Sequence, residues 1–346
     1  MNNGKMKAAM FLEPGKIQVQ NVNIPEIKEN EVLVKVKYCG ICGTDMHIYN
    51  GVYSKEILPF IAGHEFSGVI EKVGNQVKRF KGGEKVVADI NFSCGTCFYC
   101  RQNQPIMCKE MRQLGIHIDG AFAEYVAIPQ EMIYEIPQEM DLKDAALLEP
   151  ISCVVRSAKK HHMKFAESVV IIGDGAIALM HVQIAKICGA APIIVIGLDE
   201  DKMKKAKEFG ADYVIKSGDG MYEEVKALTE GRGGDIVIEA VGLPITYEQT
   251  FKLVRPGGRI VAFGLASEDC AVPYKPFEMI LKELSMVGSV AGAKNDLAES
   301  ITLVKHGRFL LEDYKKTIVP LDDIGKAFEK LKTDKSVMKI LIDMEG

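Results

Sequence analysis

The stretch IIGDGAIALMHV sets Gly173, Gly175 and Ala178 between an apolar run and a helix-like one. A strand, a glycine turn and a helix in that order belong to a parallel sheet with helices on its faces. The spacing is that of G-x-G-x-x-G/A, in which each small residue has a physical task. Gly173 allows the tight turn, Gly175 lets a pyrophosphate reach the backbone, and Ala178 lets helix and strand pack closely. Ala176 and Ile177 complete the first helical turn, whose unpaired amides attract phosphate. The turn is read as dinucleotide-binding, with a purely structural strand-to-helix turn as the alternative.

The surrounding texture agrees. From Ile151 onward, strands at Ser168–Ile172, Ile193–Ile196, Asp235–Ala240 and Arg259–Phe263 alternate with helices at Ala176–Cys188 and Asp201–Phe209, the latter stopped by Gly210. From Lys7 to about Pro137 the chain has short β-type runs instead, at Val32–Val36, Ser67–Val73, Lys85–Ala88 and Ala123–Ile128, separated by turns such as KGGEK. The tail adds a helix over Leu321–Leu331 and a strand over Val337–Met344. The fold class is therefore α/β with two domains, an irregular β-rich one and a doubly wound parallel sheet. A chain of 346 residues is long enough to give each its own core.

A second test of the dinucleotide reading lies at the end of the next strand, where an acid ordinarily meets the ribose hydroxyls. This strand ends IVIGLDED, with Gly197 where the acid is expected and Asp199 and Glu200 after it. Either Asp199 reaches the ribose, or the missing acid leaves room for a 2′-phosphate neutralised by Lys202, Lys204 or Lys205. NAD and NADP both remain open.

Two groups of metal-ligating residues precede the glycine turn. Cys94, Cys97, Cys100 and Cys108, in SCGTCFYCRQNQPIMC, fill a tetrahedral zinc shell and leave no open position, so this metal is structural. An iron–sulfur cluster is the competing occupant. Cys42-Gly-Thr44-Asp45-Met-His47 and Gly63-His64-Glu65 form the second group. Cys42 and His64 supply one sulfur and one nitrogen, and a carboxylate from Glu65 or Glu149 completes three ligands. Such a zinc keeps an open position and is catalytic.

Composition excludes other classes. A net charge of -4 lacks the basic footprint of a nucleic-acid binder. Asp174, His181, Gln183 and Lys186 interrupt Val169–Leu198, which argues against a membrane span. Nine cysteines and no apolar leader point to a reducing cytoplasm.

Taken together, GICGTDMH, GHEFSGVI, the four-cysteine lobe, GAFAEYVAIP, LLEP, the glycine turn and RPGGRIVAFG resemble the zinc-dependent medium-chain dehydrogenases, in that family's order and over nearly the whole chain. The resemblance implies a chaperonin-10-like catalytic domain from residues 1–150 and 290–346, with the structural zinc lobe near 90–110. It also implies a Rossmann domain over 151–289, two zinc ions per chain, a nicotinamide cofactor, and a homodimer or homotetramer. Cys42, His64, Glu65 and Glu149 become catalytic-zinc ligands or near-ligands, and a glutamate followed by Pro150 is similar to the sorbitol branch. In the implied mechanism Thr44 accepts the hydroxyl proton and His47 passes it on, while Asp45 orients His64. Cys39 is a packed thiol. The sorbitol branch also carries an arginine three residues after a glycine matching Gly288. Ser289, Val290 and Ala291 follow that glycine here, so this donor to the substrate is missing. The expected substrate is an alcohol or ketone of the polyol, sugar or cyclitol class. Threonine or a small diol such as butanediol stands second, and a non-catalytic nucleotide-sensing relative third.

Overall fold

A computed structural model of the chain describes residues 4–346 apart from the side chain of Lys55, so the first three residues of the expected first domain lie outside the described ones. The chain separates into two compact units. One comprises residues up to Ser152 with Gly292–Gly307 and Leu311–Gly346, the other Cys153–Ala291 with Arg308–Leu310.

The first unit is built around the strand Glu31–Gly40, in which Val32, Val34 and Val36 are wholly buried. Their β-branched side chains suit a pleated surface packed on both sides. This strand pairs antiparallel with Glu65–Val73 and Tyr125–Pro129, and the tail returns as Ile340–Asp343 to pair with its end. The register sets Gly40 opposite both Glu65 and Leu341. A distant tail residue is thereby brought beside the upstream metal-type motif. Phe11, Phe122 and Phe328 meet in the core, with Phe328 edge-on to Phe11 at 5.5 Å and to Phe122 at 6.2 Å. Because Phe328 belongs to the tail helix Ile324–Thr333, this cluster fastens the tail to the β-rich core. Truncating such a ring costs about 3–5 kcal/mol.

Two expectations shift here. The tail helix expected from Leu321 is preceded by a separate 3₁₀ turn over Leu321–Asp323, because Pro320 constrains the entry and a tight turn absorbs the change of direction. The strand expected over Ala123–Ile128 is Tyr125–Pro129, since its partner residues Glu31–Lys35 set the register.

The second unit holds six parallel strands: β1 (Val169–Ile172), β2 (Ile193–Gly197), β3 (Tyr213–Lys216), β4 (Gly234–Glu239), β5 (Val254–Ala262) and β6 (Ser285–Gly288). Their order is β3-β2-β1-β4-β5-β6, the doubly wound arrangement with β1 at the centre. Every residue of β1 is buried, as helices on both faces require. The edge strand β6 ends at Gly288. The Ser289 amide bonds Ala262 O at 3.1 Å, and Val290 is exposed. Among the described residues, no helix is long and apolar enough to cross a membrane.

Candidate metal centres and dinucleotide turn

Helix α1 (Gly43–Tyr49) starts at Cys42, whose extended backbone presents the thiol at the helix entrance. Across the sheet, Gly63 adopts φ +93°, and a Cβ there would lie 2.7 Å from the Phe122 ring. Only glycine allows that turn, which delivers His64 and Glu65 to the same place. Cys42, His64 and Glu65 each offer a ligand atom, all within 4.8 Å of one another.

Asp45 ties two of these residues together. It is wholly buried, its Oδ2 accepts the Cys42 amide at 2.8 Å, and its Oδ1 lies 3.5 Å from His64 Nδ1. Neither His64 Nδ1 nor Asp45 Oδ1 has a well-formed hydrogen-bond partner. An imidazole donating Nδ1–H to that carboxylate leaves its other nitrogen unprotonated, the form a metal requires. Burial pushes the His64 pKa down, but the nearby Asp45 carboxylate, with Cys42, outweighs it and raises the value. The donor set fits zinc, one thiolate, one imidazole and one carboxylate.

Lys339 is the residue that sequence reading missed. It is 7% exposed and forms an ion pair with Glu65, itself 1% exposed. Burial works against its charge, yet Glu65, Cys42 and, more weakly, Glu149 raise its pKa. The pair crosses over Gly40, where a Cβ would lie 2.4 Å from Glu65 Oε2 and 2.9 Å from Lys339 Cε. A lone lysine opening the apolar run KILID was the available signal.

Glu149 does not belong to the close cluster. It occupies the first turn of α2 (Leu148–Lys160), and its carbonyl accepts the Ser152 hydroxyl at 2.6 Å. Thr44 and His47 are half-buried and three residues apart on α1, a spacing that sets them on one helix face. Cys39 is wholly buried and burial pushes its thiol up, as befits a packed core group.

The four cysteines converge in a different setting. Cys97 and Cys100 sulfurs are 3.6 Å apart, and those of Cys94 and Cys108 are 3.5 Å apart. These are not disulfides, whose sulfurs lie about 2.05 Å apart. They approach the edge of about 3.8 Å that follows from zinc–sulfur bonds of about 2.3 Å in a tetrahedron. Backbone amides turn toward the sulfurs, including Cys97 N to Cys94 Sγ at 3.4 Å and Glu110 N to Cys108 Sγ at 3.4 Å. The Thr96 amide heads the contacts that pull the Cys94 thiol down to about 6.

In the second unit Gly173 follows β1 with φ +122°, and a Cβ there would press on Val241 at 3.0 Å. Gly175 caps α3 (Ala176–Ile187) without a side-chain hydrogen bond, and a Cβ at Gly175 would meet nothing within 4 Å. The open approach, the first amides of α3 at Ala176 and Ile177, and the wholly buried Ala178 fit a pyrophosphate. Gly197 closes β2. Asp199 caps α4 (Glu200–Phe209) by accepting the Lys202 amide at 2.9 Å. Lys204 pairs with Asp201 and Lys205 with Glu208, so two of the lysines considered for a 2′-phosphate already face carboxylates.

Comparison with known proteins gives a consistent result. Residues 28–138 match the family described as alcohol dehydrogenase GroES-like domain, and residues 176–306 the family described as zinc-binding dehydrogenase. A sorbitol dehydrogenase of Halalkalibacterium halodurans is 32% identical, with 96% of this chain and 97% of the relative covered. An L-threonine 3-dehydrogenase of Bacillus velezensis is 34% identical, covering 98% and 99%. A crystal structure from Sinorhizobium meliloti, described as a zinc-binding dehydrogenase bound to NADP, superposes with a TM-score of 0.92 at 32% identity, covering 98% and 99%.

Proposed function

The chain belongs to the zinc-dependent medium-chain dehydrogenases, oxidoreductases that use zinc and a nicotinamide dinucleotide, and on that basis we propose that it oxidises a secondary alcohol of a polyol, sugar or cyclitol. The observation that carries the reading is the convergence of half-buried Cys42 with buried His64 and Glu65 in a chain that also has a dinucleotide turn. When bound, zinc supplies a Lewis acid for the hydroxyl and the nicotinamide ring supplies the hydride acceptor.

The remaining work falls to the chain. Cys42 and His64 hold the metal, with Glu65 as third ligand and Glu149 as the carboxylate that contacts a water or the substrate beside it. Lys339 balances the charge of Glu65 in this buried setting. Thr44 Oγ1 accepts the hydroxyl proton and His47 passes it outward, since both sit on one face of α1. Asp45 fixes His64 in the metal-binding tautomer. The four-cysteine lobe holds the structural zinc. Gly173, Gly175, Ala176, Ile177 and Ala178 hold the pyrophosphate of the dinucleotide. Asp199, beside Gly197, is placed within its sequence segment to serve the ribose end. The proposed setting is cytoplasmic, as a homodimer or homotetramer.

A second substrate class has a specific basis. Ser289, Val290 and Ala291 provide no arginine where the sorbitol branch has one, which favours a substrate with fewer hydroxyls to hold, such as threonine or a short diol. The test is a panel of polyols, sugars, cyclitols, threonine and short diols assayed with NAD and NADP. A polyol, sugar or cyclitol turned over at least about tenfold faster than the rest supports the first class, and the reverse order the second. No turnover of any secondary alcohol by zinc-loaded protein would overturn the proposal.

A further inference from the structure

Asp174 stands between the two turn glycines, where a carboxylate facing the phosphates would oppose their binding. It faces the other way. Its Oδ2 accepts the amides of Leu198 at 2.7 Å and Asp199 at 2.8 Å, which carries the charge to the end of β2. Gly197 makes this possible, because a Cβ there would lie 2.8 Å from Asp174 Oδ2 and 2.9 Å from Asp174 Cβ. A carboxylate is therefore present at the strand end after all, brought by the neighbouring turn instead of by the strand.

On the reading of this turn as dinucleotide-binding, we propose that Asp174 is the specificity-determining residue that selects the unphosphorylated dinucleotide, NAD, over NADP. In this fold the ribose 2′ position lies at the end of β2, where an acid receives the hydroxyl and an arginine receives a phosphate. The segment from Asp174 to Lys205 has no arginine, and α4 opens with Glu200 and Asp201. Lys204, Lys205 and Lys216 face Asp201, Glu208 and Glu200 respectively. A 2′-phosphate would bring further negative charge against Asp174 and this acidic first turn. A 2′-hydroxyl has a proton to donate to the same carboxylate. The fold itself does not decide the matter, since a close structural relative holds NADP. The choice lies in the side chains at the end of β2.

The experiment is equilibrium binding, by fluorescence titration, of NADH and NADPH to the zinc-loaded wild type and to Asp174→Asn, with no substrate present. Asparagine keeps an oxygen for the Leu198 and Asp199 amides and removes the charge. The wild type is expected to bind NADH more tightly than NADPH by about tenfold or more, and Asp174→Asn to lower that ratio by about tenfold, chiefly through tighter NADPH. A wild type that prefers NADPH or binds both equally overturns the proposal, whatever the variant does. An unchanged ratio in a folded variant overturns it too. Competition by 2′-AMP against 5′-AMP on the wild type gives the same discrimination without any variant: stronger 5′-AMP supports the assignment and stronger 2′-AMP contradicts it. Failure of both dinucleotides to bind would instead remove the dinucleotide reading on which the proposal stands.

Discussion

The two cysteine-bearing clusters assemble ligands in opposite ways. In the lobe, four chemically identical sulfurs come from fifteen consecutive residues, Cys94 to Cys108, and the loop folds its own amides around them. In the other cluster, three different ligand types arrive from a helix entrance and a strand start, inside a shell where Asp45, His64, Glu65 and Lys339 are all buried. A closed thiolate shell satisfies a metal and leaves it inert, whereas a mixed set keeps an open position and needs a second set of residues to hold its charges. Local sequence is enough for the first. The second requires the fold.

That contrast can be broken at graded points. The largest effect is expected from His64→Ala, which should lower turnover by about a thousandfold or more while leaving the lobe's zinc in place. Metal analysis beside kinetics checks it, and equal loss of both zincs would show that the clusters are not independent. Lys339→Met comes next. It leaves Glu65 buried without its cation and should cost about 3–5 kcal/mol of stability, read from denaturant unfolding. A neutral outcome would mean that the metal alone balances Glu65. Asp45→Asn should weaken metal binding by about 10–100-fold, measured by chelator competition, with the lobe again unaffected.

The smallest effect lies outside both clusters and serves as their control. His161 and His181 are buried in the second unit, and His181 stacks edge-on to Phe263 at 4.6 Å. Burial, with the nearby Arg259 charge, lowers His161 from 6.5 to about 4, and burial lowers His181 from 6.5 to about 3. The unfolded chain therefore takes up these protons first. Their contribution is fully present above about pH 6.5 and is lost as pH falls toward 4 and 3. His181→Leu should flatten the decline of melting temperature between pH 6.5 and 4 without changing zinc content. An unaltered slope would return acid sensitivity to the metal sites.

The same contrast explains what was legible beforehand. The lobe could be read from spacing, and the glycine turn from its place between β1 and α3, because both are local patterns. Cys42, His64 and Glu65 were legible as ligand types, but their convergence depends on the register that sets Gly40 against Glu65 and the tail strand. Lys339 was invisible for that reason, since nothing in KILID names a partner so far upstream. Asp174 carries no periodicity as a turn residue between glycines, and only the direction of its side chain sets its carboxylate at the end of β2. The end of β6 is hidden for a similar reason: pairing with β5 stops at Gly288, which composition does not report.

The division of labour between the clusters is tested most directly by zinc stoichiometry and turnover measured together on Cys42→Ser. The expected result is a fall from two zincs per chain to one, retained dinucleotide binding and loss of turnover. Retention of two zincs with full turnover would contradict it.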